Sequence, residues 1–297
     1  MSGRSALHAV DSSPPPVKAV HDSEQRPRGS VRASAREWAL DKQWPVALAL
    51  VLVILAVWQI VGLLGRLPEY ILSPTQIVGA TRDMISTGEL PALVRTSLMR
   101  EFSGFVLGAG GGVLLGLIAG VARWSGDVID GAIGLLYPVP KIALLPVIAI
   151  WLGFTDSTRI IVIALACFFP AYLNAQTATR SVDPNFIWVA RNANAGRWRT
   201  IFQVILPAAL PRVLVGVRTA LALSFVMMFA TEVIGASGGS AAGLGGRAFA
   251  AGANGGYDVL WAVLLTIAVL GLVLDSILRL LSTKATRGVS RELADHG

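Results

Sequence analysis

Few residues in this chain have side chains that could do covalent or metal chemistry, and their spacing does not bring them together. Within the apolar stretches or at their ends stand Lys141, Glu232, Asp275 and a single cysteine, Cys167, far apart in sequence, while His8, His21 and His296 all lie in the polar tails. Catalytic sites cluster a nucleophile, an acid or base, or metal ligands. One cysteine and no interior histidine give a zinc or haem site almost nothing to bind with. A lone cysteine also excludes an internal disulfide, and Cys167 in its apolar run reads as a small buried side chain. A phosphate-cradling loop of the Gly-x-x-x-x-Gly-Lys-Ser/Thr type is absent, and the glycine-rich stretch 235–246 contains no lysine. The chain therefore reads as non-catalytic, with no metal and no cofactor of its own.

The elements that carry these residues are apolar helices. Of 297 residues, 54% are hydrophobic and only 14% charged, with a mean hydropathy of +0.64; a soluble domain carries about 25% charged residues. Six runs are long enough to cross a bilayer, which takes about 20 residues: 46–64, 102–122, 131–154, 160–179, 213–231 and 257–281. The fold class expected is an all-α membrane protein with six transmembrane helices and both termini on one side. Placing the N-terminus inside puts 18 of the 25 Lys and Arg on the cytoplasmic side and six outside, with Lys141 inside a helix. That is the positive-inside bias, and it accounts for the +7 net charge without nucleic acid as a partner. Residues 1–36, rich in Ser, Pro and Arg, read as a disordered cytoplasmic tail.

Three patterns within the runs bear on a pathway. Gly104, Gly108, Gly112, Gly116 and Gly120 recur every fourth residue, leaving one helix face bare for close approach of another backbone; the contact is either static packing or a sliding surface. The third run carries Pro138, Pro140 and Pro146. Prolines free backbone carbonyls that only protein or a wet cavity can satisfy inside a membrane, so this helix is expected to line the interior. Lys141 sits near its middle, either facing a pathway that favours anions or snorkelling or pairing with a carboxylate. Glu232 ends the fifth run and reads as part of an outer gate or as the partner of an arginine such as Arg159. The stretch 235–246 reads as a flexible or re-entrant outer loop.

The most distinctive segment is 181–207. Asp183 before Pro184 reads as an N-cap and first helical position. A short helix follows, with Phe186, Ile187, Ala190 and Ala193 on one face. Asn194-Ala195-Gly196 makes a turn. A second short helix, with Trp198, Ile201, Phe202 and Ile205 apolar and Arg197 and Arg199 polar, stops before Pro207. Such a basic amphipathic helix-turn-helix either rests on lipid headgroups or docks a cytoplasmic partner.

This segment resembles the EAA loop of binding-protein-dependent ABC importer permeases: Glu-Ala-Ala, three residues, Gly, nine residues, Ile, one residue, Leu-Pro. Trp188, Val189 and Ala190 stand at the Glu-Ala-Ala places, Asn194 at the Gly place, and Val204, Leu206 and Pro207 at the Ile and Leu-Pro places. The spacing is intact. Asn194 departs mildly, since asparagine tolerates positive φ; Trp188 departs more, since a charge is lost. Further similarity to the sulfonate, nitrate and taurine permease branch runs from 91 to 282, in Pro140–Pro146, Ile150–Gly153, Phe168–Pro170, Leu206–Pro211, Val215–Arg218, Ala230–Glu232 and Gly243–Gly245.

The resemblance implies a type I importer transmembrane fold with cytoplasmic coupling helices, in the bacterial inner membrane. It implies a second permease copy, two cytoplasmic ATP-binding subunits that hold ATP and Mg and grip the loop 183–206, and an external substrate-binding protein. Asp183, Trp188, Val189, Ala190, Asn194, Gly196, Arg197, Arg199, Leu206 and Pro207 would couple to the ATPase, and Pro140, Lys141, Pro146 and Glu232 would border the pathway of a small anion. The chain divides into a tail 1–36, a first helix and outer segment 37–90, the importer domain 91–282 and a C-terminal tail 283–297. A six-helix secondary transporter or channel without an ATPase is the alternative; its inverted repeats are not visible here.

Overall fold

The computed structural model describes residues 29–239 and 243–294. Within them every regular element is helical, in the order α1 Gly29–Leu63, α2 Pro74–Ser86, α3 Glu89–Val121, α4 Arg123–Leu136, α5 Leu144–Leu152, α6 Asp156–Arg180, α7 Pro184–Asn192, α8 Arg197–Thr200, α9 Leu206–Ser237, α10 Leu244–Ala253 and α11 Tyr257–Ala294. Five of these pass as membrane spans by length and composition, or six if the bent pair α4 and α5 counts as one. Residues 1–57 and 58–297 form two separate units. In the first, α1 already begins at Gly29, ahead of the tail boundary at 36, in a stretch rich in Ala, Arg, Glu and Leu with high helix propensity. The expectation for residues 1–28 lies outside the described residues. α11 likewise carries its helix through the segment 283–294.

The second unit is built on a parallel pair. All five stripe glycines of α3 point at α6: a Cβ on Gly104 would lie 2.6 Å from Ile163, on Gly108 2.1 Å from the Ala164 carbonyl, on Gly112 2.4 Å from that of Phe168, on Gly116 2.5 Å from that of Tyr172, and on Gly120 2.5 Å from Thr179. Contacts this close need bare backbone. In lipid, where burying apolar side chains gains little over leaving them among acyl chains, such packing is what holds helices together. Rising positions on α3 meet rising positions on α6, so the two run in the same direction. The intervening chain must therefore return across their full length, and α4 with α5 performs that return. This geometry makes the bent pair one crossing and the total six.

The third span is more sharply broken than three prolines in a continuous helix suggest. α4 ends at Leu136, a single 3-10 turn spans Lys141–Ala143, and α5 leaves at 70°. Pro138 and Pro140 fall in the gap, where neither can donate a helical hydrogen bond. Lys141 thus sits at the break rather than mid-helix. The second short helix does not stop before Pro207 either: α8 passes through a π turn, Ile201–Ile205, straight into α9. The wider i to i+5 ring absorbs the proline, which lacks the N–H an α-helical bond would use. α9 then continues past Thr231, so Glu232 lies inside a helix rather than at its end.

α6 and α9 run antiparallel around small and apolar core residues, among them Cys167, Ala171, Ala220 and Met228, and Cys167 is fully buried, as expected, with Sγ 3.4 Å from the Ala220 carbonyl. α2, α10 and α11 pack with the N-terminal part of α3 around Met84, Leu90, Leu244 and Val263. Neither α2 nor α10 is evident in the sequence as a helix. α2 starts at Ser73, whose N–H donates to Gln76 Oε1 at 2.8 Å, as in a capping box. Large apolar side chains stand exposed along the spans, for example Leu114 at 60%, Leu135 at 81% and Leu272 at 69%, which suits a surface facing lipid. At the end of the unit that holds α10, Trp58 packs on Trp261 at 5.9 Å and Tyr70 on Tyr257 at 6.4 Å, the aromatic composition typical of a membrane–water interface.

Candidate functional site: two polar ends of one helical unit

Polar chemistry concentrates at the two ends of the helices. At the α7 end lies the segment 181–207. Asp183 caps α7 as expected, accepting from Asn185 N at 2.9 Å, with Pro184 at the first helical position. α7 closes in a Schellman arrangement: Ala195 N donates to the Ala190 carbonyl at 3.0 Å and Asn194 N to that of Arg191 at 3.0 Å. This needs a left-handed residue, and Asn194 supplies it at φ 53, the single non-glycine residue with positive φ among those described. Ala190 is buried against the unit, while Gly196 caps α8 with extended backbone.

The other face of this segment is left bare. Trp188 is 66% exposed, Val189 68% and Trp198 72%, with Phe202 stacked on Trp198 at 6.2 Å. Arg199 reaches only Gln203, at 3.0 Å. Between α7, α8 and the adjoining ends of α3 and α6 runs a groove of about 1190 Å³, which takes in Trp188 and the arginines 180, 191 and 197 and, among the described residues, no carboxylate. Exposed aromatics ringed by cations suit either a protein interface or a face resting on lipid headgroups. Behind them the segment is anchored. Arg212 donates to Ser181 Oγ, Arg180 pairs with Asp130 at 3.1 Å, and Arg218 forks onto Asp275 at 2.6 and 3.0 Å, tying α9 to α11.

The opposite end is closed on itself. Glu232, fully buried, receives Arg100 Nη1 at 2.8 Å, Ser97 Oγ at 2.9 Å and the Gly245 N–H at 2.8 Å. Ser97 Oγ in turn accepts from Leu244 N at 2.8 Å, so both partners sit on the N-terminus of α10, where a helix favours negative charge. The glycines make this approach possible. A Cβ on Gly243, at φ +99, would lie 2.1 Å from Glu232 Oε1, and one on Gly245 2.9 Å from its Cβ. Arg100 also binds Asp156 through Nε at 2.9 Å and Nη2 at 2.7 Å, and Arg159 reaches the same carboxylate at 3.3 Å. Glu232 therefore pairs directly with Arg100, while Arg159, with its guanidinium against Gly235, also feels the Glu232 charge. The described part of the stretch 235–246 is not a flexible loop but leads into the packed helix α10, with Leu244 and Ala248 buried.

Sequence reasoning missed Ser97, Arg100 and Asp156. The signal was present: Ser97 and Arg100 are spaced i, i+3 just before an apolar run. It also missed Glu101, buried in α3 and accepting from Ser224 Oγ at 2.6 Å. Lys141 is not brought to either cluster. Its ammonium stands 4.2 Å from the Phe169 ring centre and 5.1 Å from that of Tyr137, and donates to the Tyr137 carbonyl. Pro140 and Pro146 flank it. Among the described residues no group of His, Cys, Asp and Glu could hold a metal ion.

Residues 112–287 match the model of the binding-protein-dependent transport system inner membrane component family. The chain is 35% identical over 242 residues to the putative aliphatic sulfonates transport permease protein SsuC of Bacillus subtilis, covering 81% of this chain and 86% of that one. It is 31% identical over 255 residues to the taurine transport system permease protein TauC of Escherichia coli, covering 84% and 91%. With the nitrate import permease protein NrtB of Synechococcus elongatus it shares 28% over 267 residues, covering 84% and 93%. A solved structure of the MetNI methionine ABC transporter aligns at TM-score 0.48 and 20% identity, covering 67% of this chain and 97% of that chain. The chain belongs to the binding-protein-dependent transport system inner membrane component family: it is an ABC importer permease, a transport subunit of the inner membrane.

Proposed function

We propose that two copies of this chain form the pathway of a type I ABC importer for a small organic or inorganic anion, driven by two ATP-binding subunits that dock on 183–206. The α7 end is then cytoplasmic, with both termini, and the α10 end faces the external binding protein. The observation that carries this reading is the exposed face of Trp188, Val189 and Trp198 with Arg197 and Arg199, at the spacing of the family's loop. Trp188 lies where the family has a carboxylate, so the contact here is made by aromatic area and by the neighbouring arginines rather than by an anion. The anionic solute is supported by the relatives named for sulfonates, taurine and nitrate. Lys141 remains a candidate for the pathway at the break between α4 and α5. ATP and Mg belong to the partner.

Co-expression with the ATP-binding protein encoded beside it, followed by co-purification in detergent, tests the reading. Wild type should retain the ATPase. Arg197→Glu with Arg199→Glu should lose it while keeping its unfolding temperature. Failure of the well-folded wild type to hold any ATPase overturns the proposal.

A further inference from the structure

At the α10 end, beside the buried network, a cavity of about 390 Å³ opens between α3 and α6, lined among others by Arg95, Thr96, Arg100, Ser103 and Asp156. Its size is within the range of small-ligand sites. The two carboxylates that meet Arg100 are not equivalent. Glu232 is 0% exposed and held by three donors, so it does not leave. Asp156 is 63% exposed, on the first turn of α6, and places one oxygen, Oδ1, on both Nε and Nη2 of the guanidinium at 2.9 and 2.7 Å. That edge is a planar fork matched to paired oxygens. Asp156 is thus the solvated one of the two carboxylates, and the one that an incoming oxyanion from the cavity can replace on Arg100. Around it stand three guanidiniums, those of Arg95, Arg100 and Arg159, against the two carboxylates of Asp156 and Glu232.

We propose that this cavity is an oxyanion-binding site at the outer mouth of the permease, in which the sulfonate, or an equivalent planar or tetrahedral anionic head, of the solute displaces Asp156 from the outer edge of Arg100 and is held also by Arg95. The inference rests on the anion-import reading and deepens it by assigning residues. Arg100 then has a double task. Its inner nitrogen stays on Glu232, and through Glu232 and Ser97 it remains connected to the N-terminus of α10, so the solute would be bound by a residue that also fixes α10.

The test is direct binding to the full-length permease in phosphatidylcholine nanodiscs without any ATPase, read by ¹⁹F line broadening of trifluoromethanesulfonate and its competition by ethanesulfonate. Wild type should broaden the line and ethanesulfonate should restore it. Arg95→Gln should weaken binding about tenfold, the scale of one lost charge-assisted contact. Asp156→Asn should strengthen it, because the competing charge is gone. Arg82→Gln, an exposed charge on α2 outside the cavity, should leave it as in wild type. A structural role alone would not give opposite signs at Arg95 and Asp156. Absence of broadening in wild type, or equal broadening in all variants, overturns the proposal. So does loss of the probe signal in nanodiscs containing phosphatidylglycerol, if that lipid is retained by wild type and not by Arg95→Gln, since the site would then belong to a lipid headgroup. Should binding fail while ATP-driven anion uptake persists, this inference falls alone. Should no ATPase associate while the probe still binds, the docking reading of 183–206 falls and the site stands.

Discussion

The two polar ends of this permease contain similar residue types arranged to opposite purpose. At the α10 end, Glu232, Ser97 and Arg100 are buried and bonded to one another and to backbone N–H groups of α10. At the α7 end, Trp188, Val189, Trp198 and Arg199 are turned outward, and among the described residues Arg199 bonds within its own segment. A buried ion pair in a membrane protein is expensive to break and contributes chiefly by fixing one arrangement. An exposed apolar face contributes little to the fold and is available for association. On the proposed reading the molecule keeps its internal wiring at one end and its partner surface at the other, and the two should fail differently when mutated.

The sharpest break of that contrast is Glu232→Ala. Removing one partner of a buried pair costs about 3–5 kcal/mol, so the variant should show a large fall in unfolding temperature or in folded yield from the membrane. A normal unfolding temperature would mean the network is not structural. Next comes Trp188→Ala with Trp198→Ala. Truncating aromatic anchors at an interface costs about 2 kcal/mol or more in binding, so retention of the ATPase should drop at least tenfold while the unfolding temperature stays as in wild type. A fall in both would place these tryptophans in the fold instead. Gly108→Ala tests the glycine stripe: its Cβ would meet the Ala164 carbonyl at 2.1 Å, and forcing α3 away from α6 should cost about 1–3 kcal/mol. Gly110→Ala, with nothing within 4 Å, should instead be neutral or slightly stabilising, and equal effects would deny the stripe its role. The smallest effect is expected of Asn194→Gly. The left-handed turn is kept, so stability should change by a few tenths of a kcal/mol, and ATPase capture should be unchanged.

How far the sequence leads differs between the same two ends. Asp183 as cap and Asn194 as the left-handed turn follow from local rules, because capping and turn chemistry act over a few residues; the exposure of Trp198 and Phe202 does not, since their apolar spacing reads as a covered face. The apolar runs are legible for the same reason. The α10 end is not, because it depends on pairs distant in the chain: Glu232 meets Ser97 and Arg100 on another helix, and α10 is a short, small-residue helix whose glycines resemble a loop until Glu232 is seen to fill the space beside Gly243 and Gly245. The break at Lys141 was signalled by prolines, but its 70° turn depends on how α4 and α5 pack against α6. Pro207 misleads for a local reason, since a π turn lets a helix continue where an α-helical ladder would stop.

The central claim is that the α7 end is the half-interface for an ATP-binding subunit and the α10 end is not. Site-specific cross-linking measures this directly, and the chain favours it, since its single cysteine, Cys167, is fully buried. A photoactivatable maleimide placed on Trp188→Cys and, separately, on Asp156→Cys would be activated in membranes containing the co-expressed ATPase. Cross-linking to the ATPase from position 188 and none from position 156 is the predicted result. Cross-linking from 156, or none from 188 while the ATPase is present and folded, would contradict the account.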